Sequence, residues 1–220
     1  MTYNVNDAFL ADHIYKTDSM NNGDVLISPD GTRWVLVLQS PDRKDGYQGA
    51  LFRNASTGSF TFASRGTELS REPGKDLLAD LQMGRQLIPD QMVSQRLFFR
   101  DVRDYVRQEN ANPLSITLVG DSLGGSLVTL LGAENPHNPV VAFNPYGVAN
   151  LAPEGSFHNV TTHLFARDPV SVLPGSRMAG HTLVYNEPDN PQGLTDPALS
   201  SHKQRNLWLD VLMQAPARGH

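Results

Sequence analysis

Leu114-Ser115-Ile116-Thr117-Leu118-Val119 runs directly into Gly120-Asp121-Ser122-Leu123-Gly124-Gly125, and Leu127-Val128-Thr129-Leu130-Leu131 follows. The short apolar run reads as a strand, and the later one as a helix after a glycine-rich turn. A serine at the tip of such a strand–turn–helix, with glycine two residues before and two after, is the G-x-S-x-G pattern in the context it requires. The reason is steric. Ser122 must sit in a strained turn with its hydroxyl presented, and Gly120 and Gly124 leave room where a Cβ would strike neighbouring backbone. The helix that follows aims its N-terminal amides at the site and favours a developing oxyanion. Ser122 is therefore the candidate nucleophile, and the Leu123 amide a candidate oxyanion donor.

Working outward, Val140-Val141-Ala142-Phe143, Thr162-His163-Leu164-Phe165 and Thr182-Leu183-Val184-Tyr185 read as three further strands, and a last helix starts near His202. Upstream, Leu77, Leu78, Leu81 and Met83 suit one helix. Pro89-Asp90 then opens a second, longer one along Met92, Phe98, Val102, Tyr105 and Val106. Strands alternating with helices specify an α/β fold with a mostly parallel central sheet and flanking helices. Before it come Trp34–Leu38, Tyr47–Asn54 and Ser59–Ser64, with turn signals at Asp30-Gly31 and Thr57-Gly58. These read as an antiparallel N-terminal meander, after a short helix through Ala8–Tyr15. The stretch Glu187–Pro197 reads as a long loop near the site.

The 220 residues fit one domain spanning 1–220, long enough to bury a full core without disulfides or metals. Net charge is −5, with 18 Lys+Arg against 23 Asp+Glu and no strongly basic stretch, which argues against nucleic-acid binding. Zero cysteine excludes a disulfide scaffold, a thiolate metal site and a cysteine nucleophile. The N-terminus lacks a basic segment followed by an apolar run, and no window approaches 18 uninterrupted apolar residues. The expected location is therefore the cytoplasm, or outside the cell by a route that reads no cleaved signal, with no membrane span.

A serine hydroxyl needs a base to take its proton, and the base needs an orienting carboxylate. Asp168 stands out among the downstream acids because it follows the apolar strand Leu164-Phe165-Ala166 through Arg167, where an α/β sheet places functional groups. Of the later histidines, His181 opens a strand and His220 ends the chain, which leaves His202, after the loop and before the final helix, as the base. Ser64-Arg65-Gly66-Thr67 at the end of an earlier strand offers the second oxyanion donor through Thr67. No histidine pair shows metal-ligand spacing with a third ligand. No cofactor is required, and the loop acids that leave room for calcium do not specify it.

Six segments, in order, resemble the class 3 lipase family, α/β-hydrolases that include triacylglycerol lipases and phospholipases A1. They are Phe62-Ala63-Ser64-Arg65-Gly66-Thr67, Asp76–Leu81, Val119–Gly125, Phe143-Asn144-Pro145-Tyr146-Gly147, Asp168-Pro169-Val170-Ser171-Val172-Leu173-Pro174, and Ser201-His202 with Leu207. Gly120-Asp121-Ser122-Leu123 also spells the GDSL hydrolase signature. That family carries it near the start of the domain and an Asp-x-x-His pair near the end, whereas Leu199 and Ala217 precede His202 and His220 here. The lipase resemblance implies an α/β-hydrolase fold, a Ser122–Asp168–His202 triad, an oxyanion hole from Thr67 and Leu123, a lipid or phospholipid ester as substrate, and peripheral contact with a membrane. Two departures carry weight. Asp121 stands where many members have histidine. Glu68–Gly74 is short and polar where fungal members carry a longer apolar lid, which suits a phospholipid better than an oil droplet. The short, cysteine-free chain points to a bacterial-type enzyme. The same triad also serves non-lipid esterases, thioesterases and acyltransferases. A secreted effector working through a protein partner is a further alternative, and one of that kind calls for an inhibitory, immunity or chaperone protein.

Overall fold

A computed structural model describes residues 5–66, 77–153, 155–166 and 177–185. Among these described residues eight strands form one sheet in strict sequence order: β1 (Val25–Ile27), β2 (Arg33–Gln39), β3 (Gly49–Asn54), β4 (Phe60–Ser64), β5 (Thr117–Asp121), β6 (Val140–Phe143), β7 (Val160–Phe165) and β8 (His181–Tyr185). Neighbours from β1 to β4 pair antiparallel and those from β4 to β8 pair parallel. The meander and the parallel half both match the expectation. The three-residue β1 is an addition that alternation in so short a segment does not signal. The turn at Gly31, with φ 85°, joins it to β2.

Side chains alternate between two faces of the sheet. Leu51, Phe62, Leu118 and Val140 point into a core shared with helices α2 (Leu77–Gln108) and α3 (Leu123–Glu134). Phe52, Ala63, Val119 and Phe143 point the other way, into a second core closed by α1 (Val5–His13). α3 packs on β5, β6 and α2, while α1 crosses β4, β5 and β6 on the opposite face. The central strands β4, β5 and β6 are covered on both sides, by α3 on one and α1 on the other, and β5 accordingly reads as an apolar run without polar alternation.

One expectation fails. No break occurs at Pro89, because α2 runs through it as a single helix of 32 residues. Proline within a helix loses a backbone hydrogen bond and crowds the preceding turn, at a cost of roughly 3 kcal/mol. Ile88, Met92, Phe98, Phe99, Val102 and Val106 are all buried on the same helix. Each such burial contributes roughly 1.5–3 kcal/mol, so packing outweighs the local penalty.

Candidate active site

The strand β5 ends at Asp121 and α3 begins at Leu123, so Ser122 alone makes the turn between them. Its backbone sits at φ 55° and ψ −125°, a region that costs a non-glycine residue about 1–3 kcal/mol and persists only where the surroundings enforce it. They do so from three sides. The Ser122 amide donates to the Phe143 carbonyl of β6 at 2.9 Å, and its carbonyl accepts from the Ser126 amide at 3.1 Å. A Cβ on Gly120 would collide with the carbonyl group of Gly124 and lie 2.7 Å from the Gly125 nitrogen. A Cβ on Gly124 would collide with the Ser64 carbonyl oxygen and lie 2.9 Å from the Gly66 nitrogen. Gly120 and Gly124 thus do what the sequence expects of them, and Gly124 brings the end of β4 against the first turn of α3.

That end of β4 is held by parts of the chain that the motif does not contain. The Gly66 amide donates to the Tyr15 hydroxyl at 3.0 Å. The Arg65 amide donates to the Gln48 carbonyl at 3.0 Å. The Arg65 guanidinium donates to Asp18 at 2.8 Å and to the Gln48 side chain, and lies 5.4 Å over the Tyr15 ring. Behind the segment, buried Gln95 of α2 donates to the Ser64 hydroxyl at 2.8 Å, and the Tyr47 hydroxyl meets the same oxygen at 3.2 Å. Burial pushes the Tyr47 phenol well above its ordinary pKa, so it is neutral at any working pH. Tyr15 and Asp18 lie on the 3-10 segment Ile14–Ser19, some fifty residues upstream. Nothing local in the sequence marks these five partners, since only the fold brings them to Ser64-Arg65-Gly66.

The Leu123 amide opens α3 and has no acceptor within its own helix, which is the condition for an oxyanion donor. Ser122 and Asp121 are both buried. Thr67, Asp168 and His202 lie outside the described residues, as does the loop expected at Glu187–Pro197. Among the described histidines, His163 is 5% exposed and pairs through Nδ1 with the Tyr185 hydroxyl at 2.9 Å. It stacks between Phe143 and Tyr185, and burial lowers its pKa to about 4. It is a packing residue of β7. His181 is the exposed first residue of β8, as expected, and His137 and His158 are exposed. Among the described residues no group of three His, Asp or Glu side chains gathers where it could hold a metal ion. No helix there is long and apolar enough to cross a membrane.

No protein-family model matches the chain, and no curated protein matches it. Its fold has counterparts among solved structures. The LIP2 lipase of Yarrowia lipolytica superposes with a TM-score of 0.61 at 14% identity, over 81% of this chain and 77% of that one. The lipase–propeptide complex of Rhizomucor miehei gives 0.54 at 14% identity, over 78% of this chain and 62% of that one. The extracellular lipase LipA of Serratia marcescens gives 0.53 at 20% identity, over 86% of this chain but only 36% of that one. The chain therefore spans less than two thirds of the length of the last two. With its eight-stranded mixed sheet, flanking helices and strained Ser122 turn, it has the α/β-hydrolase fold seen in these lipases.

Proposed function

We propose that the chain is a serine carboxylic-ester hydrolase acting on lipids, a lipase or phospholipase A1, with Ser122, Asp168 and His202 as its triad. The observation that carries this reading is the backbone of Ser122, held in a costly conformation between β5 and α3 by glycines that leave no room for a side chain. A fold tolerates such strain where a nucleophile must be presented.

In this mechanism the Ser122 hydroxyl attacks the ester carbonyl while His202 takes its proton. Asp168 orients His202 and stabilises its charged form. The amides of Leu123 and Thr67 hold the oxyanion of the tetrahedral intermediate. His202 then protonates the leaving alcohol. Water, deprotonated by His202, attacks the acyl-Ser122 ester, and the acid leaves as Ser122 recovers its proton. The residues assigned these roles need no cofactor. The polar Glu68–Gly74 segment favours a phospholipid over a triacylglycerol droplet, reached by peripheral contact with a lipid surface.

The test is covalent labelling with a fluorophosphonate, followed by mapping of the adduct, and a panel of p-nitrophenyl esters, phospholipids and triacylglycerols. An adduct on Ser122 and fatty-acid release from phospholipid are expected. An adduct elsewhere, or none in folded protein, refutes the nucleophile. Hydrolysis of small esters without release of any fatty acid refutes the lipid substrate and leaves an esterase. Survival of biological activity in Ser122→Ala would place the function in a protein partner instead.

A further inference from the structure

We propose that Asn144 is a positioning residue that ties the nucleophile turn to the strand leading to the catalytic acid, an inference that rests on the triad reading above. Asn144 follows the last residue of β6 with φ 41° and is 2% exposed. The Phe143–Asn144 peptide unit is bonded on both sides. Its carbonyl accepts from the Ser122 amide at 2.9 Å, and its N–H donates to the His163 carbonyl of β7 at 2.8 Å. In an uninterrupted parallel ladder, the Asn144 backbone carbonyl would next accept from Phe165. At φ 41° the backbone has already turned out of the sheet towards Pro145. The Asn144 side chain takes over instead, its Oδ1 accepting from the Phe165 amide at 3.0 Å.

The carboxamide thus stands in for a main-chain carbonyl. β6 leaves the sheet early, beside Ser122, while β7 stays hydrogen-bonded to its last residue. Phe165 lies three residues before Asp168 in the sequence. The point from which the acid-bearing segment departs is therefore fixed to the same peptide unit that fixes Ser122. Asparagine meets both demands, because it tolerates positive φ and its oxygen reaches one residue ahead.

Asn144→Gly in the whole chain tests this. Glycine accepts φ 41° without strain, so the turn is retained and only the acceptor is lost. On a soluble p-nitrophenyl ester, kcat is expected to fall about tenfold with KM within about twofold, because misplacement of a triad member acts on the chemical step. The acidic limb of the kcat/KM profile should move to lower pH, since a displaced carboxylate stabilises the imidazolium less. The Phe165 amide should exchange with solvent faster. A wild-type kcat and pH profile in Asn144→Gly overturns the proposal, and so does unchanged Phe165 exchange. Asn144→Asp keeps an acceptor at Oδ1 and is the second test, decisive if the glycine variant does not fold. Near-wild-type kcat is expected, and a folded aspartate variant with a tenfold loss also overturns the proposal. Asp168→Ala separates the two levels. If it keeps full activity, the triad reading falls and the positioning role falls with it. If it is inactive while Asn144→Gly is normal, only the positioning role falls.

Discussion

The Tyr15 hydroxyl accepts the Gly66 N–H at 3.0 Å across 51 residues of sequence. The Gly66 α-carbon also faces the Asp121 carbonyl, with an added Cβ 2.7 Å from that oxygen. Tyr15 therefore fixes the backbone immediately before Thr67. Tyr15→Phe removes this hydrogen bond, worth about 1 kcal/mol, from the segment that leads into the proposed oxyanion donor Thr67. The expected result is a melting temperature within a few degrees of wild type and a kcat lowered on the order of tenfold, with a smaller change in KM. Steady-state ester hydrolysis and thermal unfolding measure the two effects. A fall in stability at unchanged kcat would make Tyr15 a packing residue only.

Gly124 offers a harder test of the same junction. An alanine there drives its methyl into the Ser64 carbonyl, with the Arg65 carbonyl carbon 2.8 Å away. Both are backbone atoms, so the clash is relieved only by moving β4 away from α3. Gly124→Ala should cost about 3 kcal/mol and abolish fluorophosphonate labelling of Ser122. Urea unfolding and the labelling rate check this. Labelling at the wild-type rate would show that the close approach is dispensable.

How far the sequence discloses this molecule follows from where each signal resides. Gly120, Ser122 and Gly124 act within a single turn, so their spacing announces the turn. The strands of the parallel half are apolar runs bounded by turn residues and are legible for the same reason. Pro89 misleads because local propensity predicts a break, while the side chains that hold α2 together pack against residues far away in the chain. Tyr15, Asp18, Gln48 and Gln95 reach Ser64-Arg65-Gly66 only through the tertiary fold. No periodicity marks them, and an ordinary tyrosine at the end of a helix gives no sign that it holds an amide of the site. Asn144 is an intermediate case. Asn-Pro marks a turn, but the bond from its side chain to Phe165 emerges only when β6 and β7 lie side by side.

Asp7 is buried in α1, and desolvation raises its pKa from 3.8 to about 7. A carboxyl with a raised folded pKa binds a proton that the unfolded chain has released, so stability falls as pH rises from about 4 to about 7. Asp7→Asn removes the titration. It should stabilise the protein at pH 8 by up to about 4 kcal/mol relative to wild type, and by little at pH 3.5. Chemical unfolding at the two pH values measures the difference. An equal effect at both would show that Asp7 has the same pKa in the folded and unfolded chains.

His163 works in the opposite direction over an overlapping range. Its folded pKa is lowered from 6.5 to about 4, by burial first and by the neighbouring charge of His181 second. A histidine of this kind is neutral when folded and charged when unfolded between those values, so stability is lost as pH falls from about 6.5 to about 4. Each proton contributes a slope of about 1.4 kcal/mol per pH unit. Between pH 4.5 and 6 the unfolded chain gains a proton at His163 where the folded one holds it at Asp7, and the two slopes cancel. The wild type should therefore show little pH dependence from these groups in that window, and the single variants should expose one slope each. Asp7→Asn should gain stability with rising pH through His163. His163→Asn, which keeps a polar partner for the Tyr185 hydroxyl, should lose stability with rising pH through Asp7. Unfolding free energies at half-unit steps from pH 4 to 7 read these slopes separately from any constant cost of the substitution. Variants with parallel profiles would mean that neither side chain is held out of its ordinary protonation state.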